Sequence, residues 1–255
     1  MRCVLQQFAL VLCVAIVAGA TATSVARAAD PEFTPQQRQA IESIIHDYLA
    51  KHPETLLDAM QAADDKLKKE AKDKAASALA SHRQEILNDP ETPVGGNPGG
   101  NVSVVEFFDY RCPYCKQVEP ALESLLRQDP QLRFVYKEFP VLGPVSMTAA
   151  HAALAARKQG KYAAFHRAMM ALKGQIDDEA VFAVASSVGL DVDRLKRDME
   201  APDIDKALKA NFALADTLDI TGTPGFVIGD QIIPEAVSLD ELKQLIDAVR
   251  KKQAG

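Results

Sequence analysis

A chain of 255 residues has room for one large domain or two small ones. With 47% hydrophobic and 25% charged residues, its composition is that of an ordinary globular protein, not a disordered or fibrous one. A formal charge of −6 argues against nucleic acid as the main partner.

The first stretch reads as an export signal. Arg2, the apolar run from Phe8 to Ala20 and the small-x-small triplet Ala26-Arg27-Ala28 predict a secretory signal peptide over residues 1–28, cut after Ala28. The run is short for a membrane-spanning helix. Its removal takes the charge from −6 to −8, because it holds Arg2 and Arg27 and no acid. Cys3 and Cys13 leave with it, so of four cysteines only Cys112 and Cys115 remain. The expected location is the periplasm, an oxidising compartment in which stray thiols pair wrongly.

Residues 29–89 read as a helical arm. Thr34-Pro35-Gln36-Gln37 is a helix start: Thr34 can cap, Pro35 suits the first helical position and Gln37 completes a capping box. His52-Pro53 breaks that helix and begins another, expected to run to about Asn88. In it, Leu56, Met60, Ala63 and Leu67 step by four, three and four, as in a heptad seam. Two heptads do not establish a coiled coil, so a solvated stalk, a helix lying on the main domain and an oligomerisation arm all fit. Residues 90–100, dense in proline and glycine, read as a linker and as the main domain boundary.

The rest, 101–255, reads as a domain of strands and helices. Strand signals cover 101–108 and 132–137, with a helix over 113–127 between them. That order implies a parallel pair with a crossover helix. Residues of about 144–219 carry no strand signal and divide at Gly160, Gly174, Gly189 and Pro202 into about five helices, with Asp177 and Asp191 as N-caps. Gly225–Ile228 and Gln231–Ile233 form a hairpin across Gly229-Asp230. A capping box at Ser238–Glu241 opens the last helix.

The chemistry centres on Cys112-Pro113-Tyr114-Cys115, where a strand runs into a helix. A cysteine at a helix N-terminus faces unpaired N–H groups and the positive end of the dipole, and both favour thiolate. Arg111 adds positive charge if its side chain turns that way. A zinc site needs further ligands, and no other cysteine survives cleavage. A bridge across so small a loop restrains the unfolded chain little. Redox chemistry is therefore the better reading: the outer Cys112 attacks and the more buried Cys115 resolves. Glu106 stands in an otherwise apolar strand, sharing a face with Phe108. It either relays a proton to or from Cys115 or reaches water at a strand end or edge.

Three segments resemble the DsbA-like branch of the thioredoxin superfamily: Glu106 to Lys116, Tyr136-Lys137-Glu138-Phe139-Pro140, and Gly222-Thr223-Pro224-Gly225-Phe226. The resemblance implies an α/β thioredoxin fold with a helical insertion, preceded by a helical arm. It implies Cys112 as nucleophile, Cys115 as resolving thiol, Pro224 as the cis-proline facing them and Glu106 as the buried acid beneath. Thr223, Pro113 and Tyr114 would meet the substrate. No lysine partner for Glu106 is carried over, since Lys137 does not clearly match that position. Within the branch the chain resembles ScsC-like proteins, some of which form trimers through such an arm and act as isomerases, while others are monomeric. The implied function is a periplasmic thiol–disulfide interchange protein that reduces or isomerises disulfides in exported, cysteine-bearing proteins. A membrane thiol reductase would keep it reduced, and no cofactor, metal or nucleic acid is expected. A dithiol oxidase and a peptide-binding chaperone are the alternatives.

Overall fold

The computed structural model describes residues 33–254. The expected signal segment lies outside the described residues. The chain divides into two units, one up to Gln61 and one from Ala62.

In the first unit, helix α1 (Pro35–Lys51) starts on the expected capping box. The Gln37 backbone N–H donates to Thr34 Oγ1 at 3.3 Å, and the Thr34 N–H donates to Gln37 Oε1 at 2.8 Å. Helix α2 (Pro53–Ser81) begins after His52. No residue of α1 is buried. Its apolar side and that of early α2 stay in solvent: Ile44 is 67% exposed, Leu57 66% and Met60 60%.

In the second unit α2 stops at Ser81, short of the expected Asn88. The backbone leaves helical geometry at His82, and α3 (Arg83–Asn88) follows. Leu79, before the break, and Ile86, after it, both enter the core.

A five-stranded sheet is built from β1 (Val94–Gly96), β2 (Val102–Phe108), β3 (Leu132–Glu138), β4 (Gly225–Ile228) and β5 (Gln231–Ile233). The strand order is β1-β3-β2-β4-β5. β2 and β3 pair in parallel, as the crossover predicted, and the other pairs are antiparallel. The sequence reading of 90–100 as a linker is corrected here: Val94–Gly96 is an edge strand of the sheet. The glycines permit it, since a Cβ on Gly95 would sit 2.7 Å from the Tyr136 hydroxyl, and Gly96 has φ +67°. The boundary between the arm and the main unit therefore does not fall at 90–100.

The sheet is buried on both faces, as β2 and β3 foretell with their runs of valine and aromatic residues. One face packs on α4 (Pro113–Gln128) and α10 (Leu239–Ala254), through Val118, Leu122, Leu125, Leu242 and Ile246. The other face carries Val105, Phe107, Val135 and Val227. It is covered by Leu79, Ile86 and the end of α9 (Pro202–Thr217). Between β3 and β4 lie α5 (Pro144–Arg157), α6 (Tyr162–Ala171), α7 (Asp178–Ser187) and α8 (Val192–Met199), then α9. Asp177 and Asp191 cap α7 and α8 as expected. The six alanines of α5 at 149, 150, 152, 153, 155 and 156 are buried, which allows the neighbouring helices to approach closely.

Candidate active site

The loop between β2 and α4 is held by Asp109. Its carboxylate accepts from the Arg111 N–H at 2.7 Å, from Ser146 Oγ at 2.8 Å and from the Leu142 N–H at 3.0 Å. Its backbone carbonyl accepts from the Cys112 N–H at 3.0 Å. One buried carboxylate therefore fixes the start of α4 against the 140–146 segment. Asp109 was not singled out from the sequence. The signal was there: an aspartate two residues before the N–H it accepts, ahead of a helix start.

Cys112 is the N-cap of α4 and Pro113 its first residue. The Cys115 N–H donates to Cys112 Sγ at 3.4 Å, and the Cys112 thiol donates to the Thr223 carbonyl at 3.1 Å. The Thr223–Pro224 bond is cis. The Cys112 thiol is pulled down to about 6, first by Cys115 and then by Thr223 and the backbone N–H groups of Cys115 and Tyr114, against the cost of burial. Arg111 does not contribute as the sequence allowed: its guanidinium donates to the Leu142 carbonyl. The lowered thiol comes first from Cys115 at the helix start, with the Thr223 side chain and the N–H groups of the first turn adding to it. Burial pushes the Cys115 thiol far up, reinforced by Cys112 and by Glu106.

Cys112 is only 3% exposed and Cys115 not at all. The rim above them is open. Tyr114 is 60% exposed, Leu142 42% and Val141 39%, and Arg111 and Pro113 are exposed beside them. The structure thus brings Cys112, Cys115, Pro113, Tyr114 and Thr223 into one place.

Glu106 is fully buried, opposite Tyr136 on β3 and Phe226 on β4. It does not reach water at an edge. Neither carboxyl oxygen has a hydrogen-bond partner among the described residues. Burial holds its carboxyl well above the usual range, and the charges of Glu119, Cys112 and Glu138 push the same way. Such a raised carboxyl holds a proton more tightly than an ordinary carboxylate does. Lys137 is no partner for it. Its register partner is Phe107, so its side chain lies on the other face of the sheet. There its ammonium donates to the Glu85 carbonyl at 2.9 Å and Thr92 Oγ1 at 2.7 Å, with Asp89 at 3.4 Å.

Two further groups surround the pair. Lys116 places its ammonium on the carbonyls of Met169, Met170 and Leu172, so its donors tie α4 to the end of α6. Glu138, at the end of β3, accepts from Tyr110 at 3.0 Å and from Tyr162 at 2.8 Å. Beside them lies His166, whose position Tyr162, Phe165, His166, Met169 on one helical face could have marked as buried. Among the described residues no group of three or more His, Cys, Asp and Glu is placed to hold a metal ion.

Comparison with known proteins agrees with this architecture. Residues 103–247 match the DSBA-like thioredoxin domain, and residues 37–70 match the copper resistance protein ScsC N-terminal domain. A thioredoxin-like oxidoreductase from Silicibacter pomeroyi is 47% identical over 66% of this chain and 98% of its own, with a TM-score of 0.65. Proteus mirabilis ScsC, in a transitional conformation, is 31% identical over 86% of this chain and all of its own, with a TM-score of 0.64. Part of a curated Na(+)/H(+) antiporter, NhaA 1 of Salinispora arenicola, is also similar, at 32% identity over 129 residues. That match takes in 50% of this chain but 20% of the antiporter, so the chain spans about a fifth of that relative's length. Among the described residues no helix is long and apolar enough to cross a membrane. With its cysteine pair at the start of α4, its mixed sheet and its helical block, the chain belongs to the family of DsbA-like thioredoxin domains.

Proposed function

We propose that this protein exchanges disulfides in exported, cysteine-bearing proteins, in the reducing or isomerising direction. The observation that carries the reading is Cys112. Its thiol caps a helix, faces the Thr223 carbonyl and titrates at about 6, while Cys115 behind it stays protonated. In the cycle the Cys112 thiolate attacks a substrate disulfide and forms a mixed disulfide. A substrate thiol then displaces Cys112, which isomerises, or Cys115 does so, which reduces. The exposed rim of Pro113, Tyr114 and Leu142 would receive the substrate, with the backbone of Thr223 beside it. Glu106, beneath Cys115, would take that thiol's proton as it attacks.

The direction is supported by magnitude. A thiol near 6 lies closer to thioredoxin, at about 7, than to the strongly oxidising DsbA, at about 3.5. A less stabilised thiolate leaves the reduced form less favoured, and so makes a weaker oxidant. A membrane thiol reductase in the periplasm would then return the pair to its dithiol form.

The arm supports assembly. Leu56, Met60 and Leu67, spaced as a seam, are 53%, 60% and 65% exposed in the single chain. Copies of this chain, in a trimer, would cover them.

The test is insulin reduction together with refolding of a scrambled substrate. Both activities should vanish in Cys112→Ser. Activity retained in that variant, or an unaltered chain that only oxidises dithiols, would overturn the reading.

A further inference from the structure

His166 on α6 is 1% exposed. Its ring packs against Tyr136, Phe108, Tyr110 and Tyr162, at centroid distances of 4.7, 4.9, 5.6 and 5.9 Å. Nδ1 lies 3.1 Å from the Tyr110 hydroxyl, which in turn donates to Glu138. Nε2 has no hydrogen-bond partner among the described residues and lies 3.5 Å from Glu119 Oε1. Glu119 lies on α4 and lines an open cavity of about 690 Å³ beside Pro113, Lys116 and Met170. A line of four polar side chains therefore leads from that cavity into the core, passing Tyr110, two residues before Cys112, and ending at Glu138.

Counting protons limits what this line can be. Tyr110 and Tyr162 have one hydroxyl proton each. If both point at Glu138, Nδ1 must donate to Tyr110. Nε2 is then either bare before a protonated Glu119 or protonated before its carboxylate. If Tyr110 instead turns its proton to Nδ1, Glu138 needs a proton to keep the 3.0 Å contact. Each arrangement that satisfies the groups stores one proton, and a turn of the Tyr110 hydroxyl moves it from one end to the other. Glu106 feels both ends, because Glu119 and Glu138 are among the charges that act on it. Its neighbours also touch His166: Tyr136 is its register partner, and Phe108 shares its face of β2.

We propose that Glu119, His166, Tyr110 and Glu138 form a one-proton relay, in which His166 is a positioning residue that sets when Glu106 can accept the proton of Cys115. The proposal rests on the reductive step above. There Cys115 Sγ attacks Cys112 Sγ, the Cys112–Cys115 bond forms, and the bond from Cys112 to the substrate sulfur breaks. The Cys115 sulfur is oxidised, the substrate sulfur is reduced and leaves as thiolate, and the Cys115 proton passes to the Glu106 carboxylate. Glu106 ionises more readily when a stored proton neutralises the acid beside it. The groups facing His166 are Glu119 from α4, Tyr110 from the β2–α4 loop, Tyr136 and Glu138 from β3, and Tyr162 from α6, with Arg167 next to it in sequence.

The test uses the full chain carrying a fluorescent peptide in mixed disulfide with Cys112. Peptide release by Cys115 is followed from pH 5 to pH 9. Cys112 ionisation is read separately, by thiolate absorbance in a Cys115→Ser background. His166→Gln loses the proton store, so the release profile should move up by about one pH unit, slowing release at neutral pH about tenfold. Glu119→Gln removes the charge facing Glu106, so the profile should move down by a similar amount. In both, Cys112 should keep the midpoint of the Cys115→Ser parent. Opposite shifts are the expected result, which a mere packing role would not produce. Profiles that stay at the wild-type position, whatever the melting temperatures, or that move together, would overturn the relay. Failure of the thiol-exchange reading would show elsewhere, as insulin reduction surviving Cys112→Ser.

Discussion

Lys137 and Glu106, buried on opposite faces of the sheet, are held in opposite ways. Lys137 enters the face covered by α3 and finds the Glu85 carbonyl, Thr92 and Asp89 around its ammonium. Glu106 enters the face covered by α4 and, among the described residues, has no hydrogen-bond partner for either oxygen. Both are almost completely shielded from water, at 1% and 0% exposure. Burial alone therefore says little about role. A satisfied buried charge holds segments together, whereas an unsatisfied one costs stability and is retained where it has chemistry to perform.

The largest effect should come from removing what covers the lysine. A chain that begins at Pro93 lacks Leu79, Ile86, the Glu85 carbonyl and Asp89. It should lose at least about 4 kcal/mol of stability, since two large apolar side chains leave the core. A chain that begins at Ala62 keeps all four, and should unfold in urea close to the full-length midpoint. Equal stability of the two truncations would remove the distinction between the faces. Trimming to test assembly therefore belongs at Ala62, not at the proline-rich stretch.

Lys137→Met should come next. It leaves three acceptors without their donor, and breaking such a buried site costs about 3 kcal/mol. Glu106→Gln should act in the other direction, stabilising the fold at pH 7 by roughly 1–2 kcal/mol while slowing release of substrate by Cys115. The pH dependence carries the sign. The Glu106 carboxyl is raised in the folded state, so the stability tied to its proton is complete below 4.5 and declines as pH rises toward its folded value. The gain from glutamine should thus be small at pH 4 and larger at pH 7, as read by urea titration at each pH. A loss of stability in this variant would mean that Glu106 has a partner after all.

The smallest effect is on rate alone. Alkylation of Cys112 should rise with pH and level off above a midpoint near 6. The lowered thiol also stabilises the reduced fold at alkaline pH, a contribution lost as pH falls through about 6. A midpoint near the ordinary thiol value would show that the helix start does not act on Cys112.

Much of this was legible in the sequence because it rests on local chemistry. The caps at Thr34, Asp177, Asp191 and Ser238 are satisfied by residues three positions away. The parallel pairing of β2 and β3 follows from a strand, a helix and a strand in order. The bringing together of Cys112 and Thr223 was legible only through resemblance, since 111 residues separate them. β1 was hidden because Val-Gly-Gly has no alternation, and its glycines serve a contact with Tyr136 that only the folded sheet creates. The break at His82 was hidden for a similar reason. Nothing local marks it, since no glycine or proline lies between Pro53 and Pro90. His166 and Lys137 look like ordinary polar residues until the partners from α4, α3 and the β2–α4 loop are in place.

The Asp109 carboxylate has one more consequence. It holds the 140–146 segment through the N–H of Leu142 and the hydroxyl of Ser146, while Arg111 grips the Leu142 carbonyl. All the fastening at Leu142 is main chain, and its side chain is left in solvent beside the thiols. Position 142 can therefore be recoded without unfastening the loop. Libraries varied at 142 and 114 should retune which sequences around a substrate cysteine are accepted, leaving the electron-transfer centre beneath as an unchanged cartridge.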